Sequence, residues 1–351
     1  MSRPAMPTIM LLLAAGGALI ALAGCGGVSR PSSPPGSAVP LTEPQASGSP
    51  SASRTPPETQ FSWDGEEPAV SRAMTGIDEA YINPGAVIDS GTLHMYANMF
   101  TEWPGNVQIV HLRSADGAAW ELAQEDPVLE SDDVPLARPG FDVSTGFIAP
   151  DGTWVLVFET VSVAQPWEIG VATGPGPDGP WSVVPEPVLS GTEGSWDAGG
   201  MAWPSVVPTD DGFAMYYSTY TGNRRQTVIA RATSTDGLTW TKDREPVLEP
   251  AEAWEGIGID RPRVVRVDDG YVMVYAGIDL TDRGVAFSTD GVTWERDGEV
   301  PAITMEGYPV DGRSWDAALI QRDGVLQYYL EIGTATASTG TEIYRATAPL
   351  P

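Results

Sequence analysis

The sequence predicts an all-β protein, a five-bladed β-propeller built from four-stranded blades. An acidic turn that ends in glycine recurs five times, and each copy is followed by a strand of alternating aromatic and β-branched residues. The turn glycines are Gly91, Gly152, Gly212, Gly270 and Gly324. Their spacing of roughly 54 to 61 residues indicates a repeat architecture. Alternating residues around Asp-Gly turns are typical of β-hairpins, so each copy supplies two strands of one blade.

A second repeat runs in phase with the first and predicts the outer hairpin of each blade. It has the pattern Ser-x-Asp-Gly-x-x-Trp, or a close variant, followed by Pro-Val-Leu or Pro-Ala-Ile. Its tryptophans are Trp120, Trp181, Trp240 and Trp294. We expect them to pack between neighbouring blades. The fifth copy stops near Tyr344–Ala348, so Phe61–Trp63 is expected to supply the missing outer strand and leave no open sheet edge.

The N-terminal region predicts a secreted, anchored protein. A basic start and a short apolar run over residues 9–22 are typical of a signal peptide and are too short for a membrane span. Leu22-Ala-Gly-Cys25 resembles the lipobox of bacterial lipoproteins, which implies cleavage before Cys25 and lipidation of that residue. The predicted organisation is a signal peptide over 1–24, a disordered Pro/Ser/Gly-rich tether over 25–60 and the propeller over 61–351.

Composition narrows the choice of partners. The net charge is −28, from 47 acidic and 19 basic residues. A field of this sign repels nucleic acid and anionic polymers, so a neutral or cationic ligand is expected. The alternative is that the acidic residues only form a well-solvated surface and do not affect which ligand binds. Cys25 is the single cysteine, which leaves the mature domain without disulfides. We expect a monomer outside the cytoplasm, attached to the cell membrane through the lipid.

Candidate site residues cluster at the starts of the innermost strands. These strands precede the Asp-Gly turns, and their polar residues lie at the end away from the turn. The candidates there are Asn83, Asp142, Trp203, Asp260, Arg261 and Asp316. The second strands return to the same mouth of the channel. Counting seven residues from each turn glycine predicts one ring of equivalent positions, namely Asn98, Glu159, Thr219, Gly277 and Glu331.

These strand starts and the Trp repeats resemble the five-bladed glycoside hydrolases, the superfamily of arabinanases, xylosidases, invertases, levansucrases and mannoside phosphorylases. The resemblance covers residues 61–351 and is carried by Asn-Pro-Gly at 83–85, Trp-Pro-Ser at 203–205 and Asp-Arg-Pro at 260–262. It implies carboxylates from several blades around a funnel, acting as acid, base and orienting group on an oligo- or polysaccharide.

The resemblance and the residues together give an assignment. Glu159, Asp142 and Asp260 are predicted to be catalytic, with Glu159 as the acid because it follows an apolar strand that should desolvate it. Asn83, Arg261, Trp203, Asn98, Glu331 and Asp316 are predicted to bind substrate. Trp103, Trp167 and Trp315 are further candidates for stacking on sugar rings.

Other interpretations stay open at this point. Two families of the superfamily carry Asp where this chain has Asn83, so a carbohydrate-binding propeller without catalysis is one alternative, although Asp78 or Glu79 could substitute. A structural or protein-binding lipoprotein is another. No cofactor is predicted, and no His/Cys cluster indicates a zinc site. A structural calcium ion in the channel, held by oxygen ligands, remains an alternative.

Overall fold

The computed structural model of the protein describes residues 58–76, 80–137, 139–161, 166–220, 226–334 and 340–350. All of them belong to one compact unit, Ala52–Pro351. The described residues form strands and four short 3₁₀ helices: Arg72–Thr75, Ser131–Asp133, Ala253–Glu255 and Met305–Gly307. No helix in these ranges is long and apolar enough to cross a membrane.

Five antiparallel sheets make five blades, as the double repeat predicted. The strands in chain order are β1 (Ser62–Trp63), β2 (Tyr81–Asp89), β3 (Leu93–Phe100), β4 (Gln108–Ser114), β5 (Glu121–Leu122), β6 (Leu129–Glu130), β7 (Gly140–Ile148), β8 (Trp154–Val161), β9 (Ile169–Gly174), β10 (Ser182–Val183), β11 (Met201–Thr209), β12 (Gly212–Tyr220), β13 (Thr227–Ser234), β14 (Thr241–Lys242), β15 (Ile259–Val267), β16 (Gly270–Gly277), β17 (Arg283–Ser288), β18 (Glu295–Arg296), β19 (Gly312–Arg322), β20 (Val325–Thr334) and β21 (Glu342–Pro349).

The blades follow one another along the chain and close into a ring. Blades 1 to 4 begin with the inner strands β2, β7, β11 and β15, and blade 5 consists of β19, β20, β21 and β1. Each inner strand contacts the inner strands of the two neighbouring blades. In blade 5, Ser62 and Trp63 pair with Thr347 and Ala346. The prediction that residues near Phe61 complete the last blade is therefore confirmed.

Two backbone contacts of the described residues precede β1. The backbone N–H groups of Glu58 and Thr59 donate to the two carboxylate oxygens of Asp297, at 2.8 and 2.7 Å. Both residues fall at the end of the segment that the sequence assigned to the tether. The predicted signal peptide, Cys25 and the rest of the predicted tether lie outside the described residues.

Apolar side chains between adjacent blades form the core, which is divided into five clusters, one at each blade interface. The repeat tryptophans pack there, as expected. Trp294 of blade 4 meets Tyr216 of blade 3 edge-on at 5.4 Å, and the hydroxyl of Tyr216 donates to the Gly291 carbonyl at 2.7 Å. Trp120 and Tyr329 repeat this geometry where blade 5 meets blade 1. The repeated motif thus makes the same contact at both of these blade interfaces.

The two histidines of the chain form a buried pair where blade 1 meets blade 2. His94 Nδ1 lies 2.9 Å from His111 Nε2, and His111 Nδ1 lies 3.1 Å from the exposed Asp178 carboxylate. His111 stacks on Tyr96 and is 1% exposed. Burial lowers the pKa of both imidazoles, and for His111 the neighbouring His94 lowers it further, to about 4. Protonation of either imidazole would place a positive charge among buried aromatic rings, which is unfavourable.

We expect this pair to weaken the fold in mild acid. A histidine whose pKa is depressed in the folded state stabilises the protein above its ordinary pKa of about 6.5, and this contribution is lost as the pH falls toward about 4. The free energy of unfolding of wild type minus that of His111→Gln, measured by chemical denaturation, should therefore fall over this range. A difference that is independent of pH would contradict the expectation.

Candidate active site

Each inner strand carries an irregularity near the end that lies away from the turn. The pairing register shifts between Asn83 and Ala86, and at the corresponding places in β7, β11, β15 and β19. Such bulges redirect side chains locally. Trp203 and Arg261 have φ of 51°, a left-handed conformation that is uncommon for residues other than glycine. Gly85 is needed in blade 1 because a Cβ there would overlap the Tyr96 carbonyl oxygen.

The bulges surround a pocket of about 450 Å³. Its lining combines aromatic rings with carboxylates from three blades and one arginine. The lining residues are Tyr81, Asn83, Phe100, Thr101, Glu102, Trp103, Asp142, Trp167, Trp203, Arg261, Trp315, Asp316 and Glu331. Trp103 and Trp315 are 43% and 36% exposed, so their faces are open to solvent. Flat apolar surfaces beside hydrogen-bonding groups suit a sugar ring.

Asp142 is a carboxyl of the lining whose pKa is raised well above the usual range. Its side chain is buried, and Asn83 Nδ2 lies 3.3 and 3.4 Å from its two oxygens. Burial raises its pKa well above the usual range, and the nearby Asp316, Glu159 and Glu331 raise it further. A carboxyl in this state holds a proton at a pH where an exposed aspartate has lost it.

Glu331 and Glu159 are buried carboxyls with similar properties. Burial, followed by the charge of Asp316, raises the pKa of each to about 8. Glu331 accepts from the Asp316 backbone N–H at 3.2 Å and reaches the pocket. Glu159 accepts from the Ser144 hydroxyl at 2.8 Å, and its Oε1 is buried without a hydrogen-bond partner.

Arg261, on β15 of blade 4, contacts residues of both neighbouring blades at the side of the pocket. Its Nε donates to Asp316 Oδ1 at 2.8 Å, and its Nη1 lies 3.2 Å from both oxygens of Asp260. The guanidinium also stacks on the Trp203 ring, 3.8 Å from the centroid. Burial raises the pKa of Asp260, and the Arg261 charge opposes the shift. Arg261 is therefore largely neutralised, and it holds Trp203 and Asp316 in place.

The structure brings six of the predicted site residues into the lining: Asn83, Asp142, Trp203, Arg261, Asp316 and Glu331. Three others lie behind it. Glu159 is paired with Asp142 across the β7–β8 ladder, Asp260 is covered by Arg261, and Asn98 donates to Asn83 Oδ1 at 2.7 Å.

Trp103, Trp167 and Trp315 line the pocket as expected, whereas the sequence did not predict Tyr81, Phe100, Thr101 and Glu102 as lining residues. Tyr81 and Phe100 form a stacked pair at 5.5 Å, which their alternation in neighbouring strands could have suggested.

The predicted ring of equivalent positions needs correction in three blades. In blade 5, Ile332 pairs with Ser314 before the bulge, so Glu331 lies one residue nearer the turn than Asn98 and Glu159. Thr219 pairs with Met201 and Gly277 with Ile259, whereas the residues level with Asn98 and Glu159 are Ser218 and Ala276. Ser218 accepts from the Arg261 N–H just as Asn98 accepts from the Val143 N–H, at 2.9 and 2.7 Å. The offset arises because the turns of blades 3 and 4 are shorter, so that Gly212 and Gly270 already belong to the second strand.

Asn83 bridges blades 1 and 2. Its oxygen accepts from Asn98 and from the Gly85 N–H, which directs its nitrogen toward Asp142. An amide cannot act as a base here, but it orients the Asp142 carboxyl. Asp78 and Glu79, which the sequence offered as substitutes, lie outside the described residues. Among the described side chains, no group of three His, Cys, Asp or Glu is arranged to hold a metal ion.

Comparisons with known proteins agree with this geometry. The family model for glycoside hydrolase family 130, described as β-1,4-mannooligosaccharide phosphorylase, matches residues 201–331. Among solved structures, a member of the GH130 family, described with glycoside hydrolases that target β-1,2 mannosidic linkages in Candida mannan, is similar with a TM-score of 0.58 and 14% identity over 86% of this chain and 98% of that chain. Zg3597, a family 117 glycoside hydrolase of Zobellia galactanivorans, gives 0.62 and 13% over 83% and 90%.

A third structure extends the comparison to a ligand complex. The GH43_1 enzyme from Xanthomonas citri, complexed with xylotriose, has a TM-score of 0.57 and 19% identity over 81% of this chain and 89% of that chain. No curated protein matches this chain in sequence. The five-bladed ring, the family-model match and these neighbours fit the five-bladed propeller glycoside hydrolase superfamily, which confirms the resemblance predicted from the motifs. Together they support a carbohydrate-acting, glycosidase-like function.

Proposed function

We propose that the protein is a glycoside hydrolase that cleaves an oligo- or polysaccharide bound in the aromatic pocket by carboxylate acid–base chemistry. The observation that carries the proposal is the position of Asp142, which lines the pocket with a raised pKa among two further lining carboxyls, Asp316 and Glu331. Buried carboxyls cost stability, and their concentration in an open pocket is typical of active sites.

Several lining residues have a defined role in this proposal. Asp142 donates its proton to the glycosidic oxygen as the C–O bond breaks. Asp316, in its ion pair with Arg261, accepts the proton of the attacking water. Asn83 orients Asp142, and Trp103, Trp203 and Trp315 contact the sugar rings. The sequence assigned the acid to Glu159; its burial behind the lining favours Asp142 as the group that reaches the substrate.

We expect water, rather than inorganic phosphate, to accept the glycosyl group. The described lining holds the four acidic side chains Glu102, Asp142, Asp316 and Glu331, and its arginine is already paired with two aspartates. A phosphate dianion requires cationic or N–H donors that are free to bind it. Turnover of nitrophenyl glycosides and of arabino-, xylo-, fructo- and manno-oligosaccharides should release free sugars at the same rate with and without phosphate.

Sugar 1-phosphate as the product, or a rate that requires phosphate, would contradict this expectation. The same panel tests the proposed function itself, because a hydrolase must turn over at least one member. The second candidate function is a carbohydrate-binding propeller without catalysis. Asn83 favours it, since an amide occupies the position at which two related families carry Asp. Binding of an oligosaccharide without turnover would support that alternative.

We further propose that Cys25 carries a lipid that anchors the protein, as a monomer, outside the cytoplasm at the bacterial cell membrane. The lipobox-like Leu22-Ala-Gly-Cys25 supports this proposal. Cys25→Ser should move the protein from the membrane fraction to the soluble fraction in a bacterial host. Membrane retention of this variant after processing would contradict the proposal, and Ser37→Ala in the tether serves as the control that should stay at the membrane.

A further inference from the structure

A second cavity lies in the central channel on the side of the Asp-Gly turns. It has a volume of about 330 Å³ and is lined by the inner strands of all five blades. Among its lining residues are Ser144, Ser205 and Arg263. The proposed chemistry at the aromatic pocket makes no use of this cavity.

Arg263 lines this cavity and contacts the backbone of Trp203, a residue of the pocket lining. Its guanidinium donates to the Ala317 carbonyl, to the Trp203 carbonyl at 3.3 Å and to the Pro262 carbonyl at 3.1 Å. The Trp203 ring lines the pocket, whereas Arg263 itself lines the channel. The arginine is buried, and these carbonyl partners hold its guanidinium in place in the channel wall.

One line of polar side chains passes beside this arginine. Ser144 lines the channel and donates to Glu159 Oε2 at 2.8 Å. Glu159 is 1% exposed, and its other oxygen, Oε1, is buried without a hydrogen-bond partner. Glu159 is the cross-strand partner of Asp142, which lines the pocket. Side chains directly opposite on an antiparallel pair are close neighbours, with Cβ atoms about 5 Å apart.

We propose that Ser144 and Glu159 are positioning residues that return a proton from the central channel to Asp142 after each turnover. The inference rests on the proposed function, in which Asp142 is the proton donor. The unpartnered oxygen of Glu159 and the Ser144 hydroxyl in the channel wall are the two observations that carry it.

The proton balance is simple. Asp142 loses its proton to the leaving glycosidic oxygen and becomes a carboxylate. The O–H of Glu159 passes its proton to Asp142, directly or through one water molecule. Glu159 then takes a proton from the Ser144 hydroxyl, which is itself restored by water in the channel. The proton of the attacking water leaves through Asp316 and the pocket, so the protein ends each cycle with its starting charge.

The surroundings of Glu159 suit a carboxyl that both holds and releases a proton. Asp142 on β7 and Asp316 on β19 lie near it and favour its protonated form, whereas Arg263 on β15 favours its charged form. Ser144 also favours the charged form through its hydrogen bond. A route behind Asp142 has a clear use, because a sugar in the pocket covers the front of this carboxyl.

The test compares Ser144→Ala with the matched control Ser205→Ala. Both serines are buried in the channel wall, but Ser205 accepts from the Val264 N–H at 2.9 Å and none of the hydrogen bonds described for it involves a carboxyl. On an oligosaccharide that wild type cleaves, Ser144→Ala should lower kcat about tenfold, with unchanged KM and a larger solvent isotope effect. Ser205→Ala should match wild type; Thr145→Val, also in the channel wall, replaces this control if Ser205→Ala fails to fold.

A second measurement decides the proposal without turnover. The infrared band of the protonated Glu159 carboxyl, identified by its loss in Glu159→Gln, should exchange in D₂O more slowly in Ser144→Ala than in wild type or Ser205→Ala. Equal exchange in all three proteins, or equal kcat values, would overturn the proposal. If wild type cleaves no saccharide, the proposed function fails, and the exchange rates still decide whether the channel supplies protons to Glu159.

Discussion

Replacing Asp142 with Asn is expected to lower kcat for the cleaved saccharide by about 10²–10⁴-fold, the usual contribution of a positioned proton donor. The amide keeps the shape of the side chain and its place beside Asn83, but it has no acidic proton for the leaving oxygen. Affinity for the saccharide should change little, since the aromatic rings and Arg261 remain. The measurement is kcat and KM from initial rates of product release.

Asp151→Asn is the matched control for this variant. Asp151 lies in the Asp-Gly turn of the same blade, is exposed, and contacts only its own turn among the hydrogen bonds described for it. It should leave both parameters unchanged. Full activity in Asp142→Asn would remove Asp142 from the role of proton donor and reopen the assignment to Glu331 or Glu159.

Replacing Glu159 with Gln is expected to stabilise the protein at alkaline pH. A carboxyl whose pKa is raised in the folded state stabilises the protein fully below its ordinary pKa. That contribution is lost as the pH rises toward the folded value, here about 8. The wild-type free energy of unfolding should therefore fall steadily as the pH rises between those limits. Glutamine has no proton to lose and stays neutral, so its advantage over glutamate should grow as the pH rises toward about 8, to the order of several kcal/mol.

Chemical denaturation across this pH range measures the effect, and Glu295→Gln, at an exposed position on β18, is the control. A stability difference between the variant and wild type that does not change with pH over this range would mean that Glu159 is charged in the folded protein. The proton return through Ser144 would then lose its donor. A gain in stability would also show that this buried carboxyl is retained at a cost, which is expected of a functional residue.

The fold was predictable because its signals are periodic. Turn glycines, alternating strands and the Trp motif recur in every blade, and each copy supports the others. The closing strand at Ser62–Trp63 followed from the absence of a fifth outer hairpin. These features depend on local chemistry that is visible along the chain, so tertiary packing did not override them.

The site was predictable in part. Strand starts identified Asn83, Asp142, Trp203 and Arg261 because all inner strands begin at one mouth. Counting seven residues from the turn glycine of blade 3 predicted Thr219, but Ser218 is the residue level with Asn98. The error arises because turns of different length shift the register by one residue. Alternation gives the side of a strand but not the depth of a side chain, so it could not show that Asp142 reaches the pocket and Glu159 does not.

We expect the pocket to cleave a glycosidic bond and not only to bind a saccharide. Calorimetry with the best oligosaccharide of the panel tests it most directly, with wild type and Asp142→Asn compared and the products analysed afterwards. We expect continuous heat and shortened products for wild type, and binding heat with intact saccharide for Asp142→Asn. Saturable binding heat and intact saccharide for both proteins would contradict this claim and identify the protein as a carbohydrate-binding propeller.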